Sequence, residues 1–394
     1  MSGAARLLAV FFAITNFLLA AALAMTWVYT YRLYQASTPP PPTLQQALGS
    51  NVGMVSPLQV DYRLDVPGRG EIFPALNGVR AADYWPVAVL TIANSSDAPL
   101  VQVVLAEIPG WSFRAERTLI IGAHTTRKLE ISPELLPRAF DNSEMRRANL
   151  DVYVRGPRGG EEYFQRRPVY LHSAFDLYWG RTFGNAQYIA RWVTPHDPAV
   201  LRLVAAAKRY AVNGRLPGYH QPGGTHSSLA QQVRSQALAV FDALKHSGIS
   251  YVNSIYTFGD FASAAQRIRL PEETLTLSTA NCIDVSVAFA SAMENLGMDP
   301  IVVIVPGHAF AGVRLGSQSQ ERLYLDLTVF PKGTFAQAIR RAENWLNKTP
   351  PDHVLVIDIA AARALRIYPI PQPNRQANLA QSATAADSAQ YRSE

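Results

Sequence analysis

The chain has 394 residues, 48% hydrophobic and 17% charged, with 36 basic and 30 acidic side chains and a net charge of +6. That apolar content excludes a wholly disordered or collagen-like polypeptide, and at roughly 100–200 residues per domain the length allows two or three domains. The single cysteine, Cys282, excludes an internal disulfide framework and any cysteine-rich zinc or iron–sulfur site. Arginine is spread along the chain rather than blocked into a patch, so nucleic acid is not an expected partner.

Leu7 to Val28 is almost wholly apolar, broken only by Thr15, Asn16 and Thr26. About 20 apolar residues at helical rise cross a hydrocarbon layer, so residues 1–36 are expected to form a transmembrane anchor. Trp27, Tyr29, Tyr31 and Tyr34 follow the run, as suits a membrane–water interface. A cleaved signal peptide is the rival reading, since Ala22-Leu23-Ala24 resembles a small-residue cleavage site. Either reading puts the bulk of the chain outside the cytoplasm. Residues 37–54 include four consecutive prolines, Pro39–Pro42, and are expected to be a stiff, extended linker.

From residue 55 to 175 the pattern is β. Short β-branched and aromatic runs such as Leu58–Leu64, Leu100–Ile108 and Leu150–Val154 alternate with turn signals such as Asn94-Ser95-Ser96-Asp97. Roughly seven such strands read as an immunoglobulin-like antiparallel sandwich, lacking a cysteine pair to pin it. It serves as a spacer or as a binding module.

Residues 185–370 read as an α+β domain. Apolar residues recur at helical spacing through Ala199–Ala211 and Ser228–His246, and a third helix is expected near Phe261–Arg267. Cys282–Asn295 is apolar nearly all round and reads as a buried central helix. Pro300–Val305, Ala309–Leu315 and Arg322–Val329 read as strands, followed by a helix at Phe335–Trp345 and a strand at Val354–Ile359. Residues 371–394 are rich in Gln, Ala and Ser and are expected to be disordered. The fold class expected is thus α+β: a transmembrane helix, a β-sandwich, then an α+β domain.

Three residues in that last domain suggest chemistry. Cys282 opens a helix, where partial positive charge and free N–H groups favour a thiolate and could meet an oxyanion. His308 follows the Pro306-Gly307 turn between two hydrophobic strands. Asp326 is the lone carboxylate in the apolar run Tyr324–Thr328, and such a group needs a partner if it faces inward. A thiol nucleophile needs a base, and the base needs a group to fix its tautomer. Each residue also has a bland reading, as a buried small hydrophobe, a turn histidine and a solvated strand-end carboxylate. His220 and His226 sit in a Gly/Pro loop with no carboxylate cluster nearby, so no metal site is expected there.

Asn281-Cys282-Ile283-Asp284, Gly307-His308-Ala309-Phe310 and Leu325-Asp326-Leu327-Thr328 resemble the three signature segments of the transglutaminase-like superfamily, over about Ile249–Val329. The resemblance implies a papain-like α+β fold, with Cys282 as nucleophile, His308 as general base and acid, and Asp326 as orienter. Tyr251 is the candidate for an upstream oxyanion-stabilising residue. Ala280 stands where many members have glycine. The tryptophan often found near the cysteine and histidine is missing, Phe310 being the nearest aromatic after His308. Asp284 lies next to the thiol and could raise its pKa. The implied activity is cleavage or transfer at an amide or peptide bond of a protein or peptide, hydrolysis preferred over transamidation. No cofactor is implied, and calcium dependence is left open. The alternative is a catalytically inactive transglutaminase-like scaffold or binding module of the cell envelope.

Overall fold

The structure, a computed structural model, describes residues 57–371 apart from 67–69, 78–86, 158–159, 181–182, 221–227, 253–256 and 259–264. Alternating inward and outward side chains build two sheets from the first part of this range. Strands β1 (Leu58–Leu64), β3 (Ala88–Asn94) and β6 (Thr126–Ile131) form a three-stranded antiparallel sheet. Strands β2 (Glu71–Ile72), β8 (Glu161–Leu171), β7 (Arg146–Arg155), β4 (Leu100–Glu107) and β5 (Ala115–Ile121) form a second, in that spatial order. Leu90 and Ile92 of the first sheet share one buried core with Val104, Ile121, Leu150, Val152 and Val154 of the second. The two sheets therefore lie face to face, each burying the apolar side of its pleat.

Strand β9 (Asp176–Tyr178) leaves this sandwich and pairs with β12 (Ala265–Arg267), which in turn pairs with β11 (Thr257–Phe258). Helices α1 (Pro198–Ala207) and α2 (Leu229–His246) follow the expected apolar periodicity and start at side-chain caps from Asp197 and Ser228. Where a helix was expected near Phe261–Arg267, residues 265–267 are instead strand. They are drawn into β pairing by β9, and 261–264 lie outside the described residues. A short pair, β10 (Ser250–Tyr251) with β13 (Thr279–Ala280), is parallel, and helix α3 (Pro271–Leu277) lies between them in the chain.

The last layer carries the candidate site. Strands β16 (Arg322–Leu325), β15 (His308–Arg314), β14 (Pro300–Val305) and β17 (Leu355–Asp358) form an antiparallel sheet in that order. Every residue of β14 is buried because both faces of the sheet are covered. Val302 and Ile304 share a core with Ile283 and Val287 of helix α4 (Cys282–Asn295). Ile301, Val303 and Val305 pack instead with Ala342 and Trp345 of helix α5 (Phe335–Lys348). Helix α6 (Ile359–Ala364) follows β17, capped by Asp358.

The fold class is corrected on one point. No helix among the described residues is long and apolar enough to cross a membrane, and the architecture is mixed α+β with several small sheets. About 20 apolar residues are needed for a crossing. The longest described helix, α2, has 18 residues and a polar face, and the apolar α4 has only 14. An N-terminal transmembrane helix is thus not supported by this architecture; residues 1–36 lie outside the described residues, as do the 37–54 linker and the tail from 372.

Gly312 shows how tightly β15 and β16 meet. A Cβ there would stand 2.7 Å from the Leu323 carbonyl oxygen and 2.8 Å from the Tyr324 ring. Overpacking of this kind costs about 1–3 kcal/mol. Gly312→Ala is expected to lower unfolding stability by that amount in urea titration.

Candidate functional site

Three chain segments converge at one end of this sheet. The first is the start of α4. Asn281 is its N-cap, and Asn281 Oδ1 accepts from the N–H groups of Ile283 (3.0 Å) and Asp284 (2.9 Å). Asp284 Oδ2 accepts in return from the Asn281 N–H at 3.2 Å, closing a capping box. Cys282 is thereby fixed as the first helical residue, half-buried, and its own N–H is the first-turn donor that the cap does not use.

The second segment is the β14–β15 hairpin. Pro306 and Gly307 form its two-residue turn, and Gly307 adopts a φ of +74°, which a residue with a Cβ rarely takes. His308 opens β15 opposite Val305. The third segment is the exit from β16. Arg322–Val329 was expected to be one strand, but the sheet ends at Leu325. Asp326 turns the chain into a 3₁₀ segment at Leu327–Val329, its side chain capping the Thr328 N–H. Because β15 and β16 are antiparallel, the start of one and the end of the other lie together.

His308 Nε2 donates to Asp326 Oδ2 at 3.0 Å, and the Cys282 thiol stands near enough to the imidazole to help raise its pKa. With Nε2 taken by the carboxylate, Nδ1 is the ring nitrogen left for the sulfur. The structure thus brings together Cys282, His308 and Asp326. Burial opposes a charge on His308, but the hydrogen bonds and charges of Asp326 and Cys282 outweigh it and push its pKa up to about 9. Asp326 is fully buried. Burial disfavours its charge too, yet the bonds from His308 and Thr328 win and hold its pKa below the usual carboxylate value. Thr328 supplies two of them to Oδ1, from its N–H (3.0 Å) and its hydroxyl (2.6 Å).

Sequence reasoning missed two neighbours of this group, both on α5. Arg341 Nε lies 3.0 Å from Asp326 Oδ2, as an ion pair on the same oxygen that holds His308. The Trp345 ring stacks on the His308 ring, with centroids 4.7 Å apart and planes at 28°. The only hint in the sequence is the i, i+4 spacing of Arg341 and Trp345 in a helix whose buried face is alanine.

Tyr251 is placed beside the thiol by backbone pairing. It registers with Ala280 across the parallel β10–β13 pair, two residues before Cys282. Its pKa is raised by partial burial and by the charges of Cys282 and Asp326, with Arg341 opposing, so the phenol stays protonated. Asp284 points away from the sulfur's chemistry. Its oxygens accept from the Arg269 N–H (2.9 Å), the Arg269 guanidinium (3.0 Å) and the Asn281 N–H. His220 is exposed and His226 lies outside the described residues. Among the described residues no group of three or more His, Cys, Asp or Glu could hold a metal ion.

No family model matches the chain, and no curated protein matches it. Two solved structures are similar in part. A FixG-related protein from Vibrio parahaemolyticus is 11% identical with a TM-score of 0.20, over 30% of this chain and 98% of that one. A family 76 glycoside hydrolase from a bovine Bacteroides thetaiotaomicron strain is 7% identical with a TM-score of 0.14, over 44% and 38%. Likenesses this weak carry no conclusion about fold or function.

The raised pKa of His308 has a consequence for stability. An unfolded histidine titrates near about 6.5. Below that pH both states are protonated and the stabilisation from His308 is fully present; it is lost as pH rises through about 9. The melting temperature of the wild type minus that of His308→Gln is expected to be largest at pH 6 and to shrink steadily toward pH 9.5.

Proposed function

We propose that this chain is a thiol enzyme of transglutaminase-like type, acting on amide or peptide bonds of a protein or peptide substrate. The observation that supports it most is the His308 ring bonded to the buried Asp326 carboxylate with the half-buried Cys282 thiol beside it. A merely structural histidine has no need of both a half-buried thiol beside it and an ionised carboxylate on its Nε2.

In the proposed reaction the thiol proton passes to His308, which Asp326 stabilises as the imidazolium. The sulfur attacks the substrate carbonyl carbon, and the carbonyl oxygen takes up negative charge. The Cys282 N–H at the start of α4 and the Tyr251 hydroxyl are the donors nearest to hand for that charge. The C–N bond then breaks as His308 gives its proton to the leaving amine, and a thioester remains on Cys282. Water attacks the thioester, His308 accepts its proton, the C–S bond breaks and the carboxylic acid leaves. Hydrolysis is preferred over transfer to a second amine because water suffices for it. Stacking of Trp345 holds the imidazole plane in place and shields the His308–Asp326 bond from solvent.

A free thiol is only a few per cent ionised at neutral pH, so one whose proton is drawn to His308 is expected to react with iodoacetamide about tenfold faster or more. His308→Ala should abolish that advantage, and mass spectrometry with an activated ester should show one acyl group on Cys282. Labelling no faster than that of a free thiol, and indifferent to His308→Ala, would overturn the proposal.

A further inference from the structure

The two carboxylates that flank the thiol, Asp284 and Asp326, are both fully buried and both paired, with Arg269 and with His308 and Arg341. Neither presents negative charge to solvent. Arg341 is different. Its side chain is 52% exposed while its ion-pair partner Asp326 is 0% exposed. The Nε end of the guanidinium is tied to Asp326 Oδ2, one contact away from His308, and no second carboxylate pairs with Arg341 among the described residues. A guanidinium can serve two partners at once, because its terminal nitrogens remain available when Nε is engaged. Near the thiol too stands Tyr251, 42% exposed and neutral, close enough for its phenol to respond to Cys282, Asp326 and Arg341 together. The solvent-facing formal charge beside the thiol is therefore positive, on a group whose position the ion pair fixes.

Resting on the thiol-enzyme reading above, we propose that Arg341 makes this site selective for acyl groups that carry a carboxylate close to the scissile carbonyl. The terminal guanidinium nitrogens bind that carboxylate in the paired geometry that suits the two groups, while Nε keeps hold of Asp326. Asp326 itself does not compete for the substrate's charge, since its oxygens are already occupied by His308, Thr328 and Arg341.

Iodoacetate and iodoacetamide provide the test. The two reagents share size, leaving group and mechanism, with the Cys282 sulfur displacing iodide, and differ only in carboxylate against amide. The ratio of their second-order rate constants cancels any change in the reactivity of the thiol itself. It is measured at pH 7 and low salt on the full chain for the wild type, Arg341→Gln and Arg341→Lys, each checked for folding by its melting curve. Losing one nearby cation should lower the iodoacetate-to-iodoacetamide ratio about three- to tenfold in Arg341→Gln, and the lysine variant should retain at least part of it. His308 also attracts iodoacetate, but it is common to all three proteins and drops out of the comparison. A ratio unchanged in Arg341→Gln, or lost equally in the lysine variant, overturns the proposal. Failure of the underlying reading shows separately, as iodoacetamide labelling no faster than that of a free thiol and insensitive to His308→Ala.

Discussion

Burying the Asp326 carboxylate at the end of a sheet sets the terms for everything around it. An ionised carboxylate out of water is tolerated only where hydrogen bonds and countercharge replace its hydration. Here the replacements come from three places: the start of β15 through His308, the chain just beyond β16 through Thr328, and α5 through Arg341. Each has to be in position for the carboxylate to be stable. The same need that fixes Asp326 therefore fixes the imidazole ring, and through it the partner of the thiol.

Asp284 makes the contrast that shows which effect wins. It is as deeply buried as Asp326 and also accepts several hydrogen bonds. Yet burial dominates there and its pKa is raised, whereas that of Asp326 is lowered. The difference lies in the partners: the bonds and charge of His308 and the bonds of Thr328 outweigh burial at Asp326, and those of Arg269 and Asn281 do not at Asp284. Asp284 has one cation, the Arg269 guanidinium, and two backbone N–H groups. Asp326 has a cationic imidazole and a guanidinium on one oxygen, and a hydroxyl and an N–H on the other. Two buried carboxylates of one region thus do different work. One ties the first turn of α4 to the loop before α3; the other holds a histidine charged.

Much of this arrangement could be read from sequence, and the part that could not has a physical reason. Cys282–Asn295 is apolar nearly all round, so its burial and its bounds are local properties of the segment. Pro306-Gly307 between two apolar runs dictates a tight hairpin, and so places His308 at a strand start. The exit of the chain at Asp326 was less visible, because the apolar residues continue to Val329; the side chain's own cap on Thr328 ends the strand. Residues 265–267 were misread because three residues set no period of their own and take their conformation from β9, nearly 90 positions earlier. Arg341 and Trp345 were invisible for a related reason. On a helix that also carries Arg340 and Glu343, a charge that pairs with a buried carboxylate looks the same as one that faces water.

The sandwich and the thiol region share a core. Phe73, Ala75 and Leu76, from the turn after β2, are buried with Leu177, Trp192, Ile283 and Val287, and Cys282 packs against the same cluster. Phe73 also stacks on His172 at the end of β8 and on Tyr178 of β9. Close-packed interiors transmit displacement rather than absorb it. The core into which the first turn of α4 packs thus extends to sandwich residues. Holding a sulfur beside an imidazole requires supports that do not yield, and the shared core extends from β2 through β9 to the helix that carries the thiol.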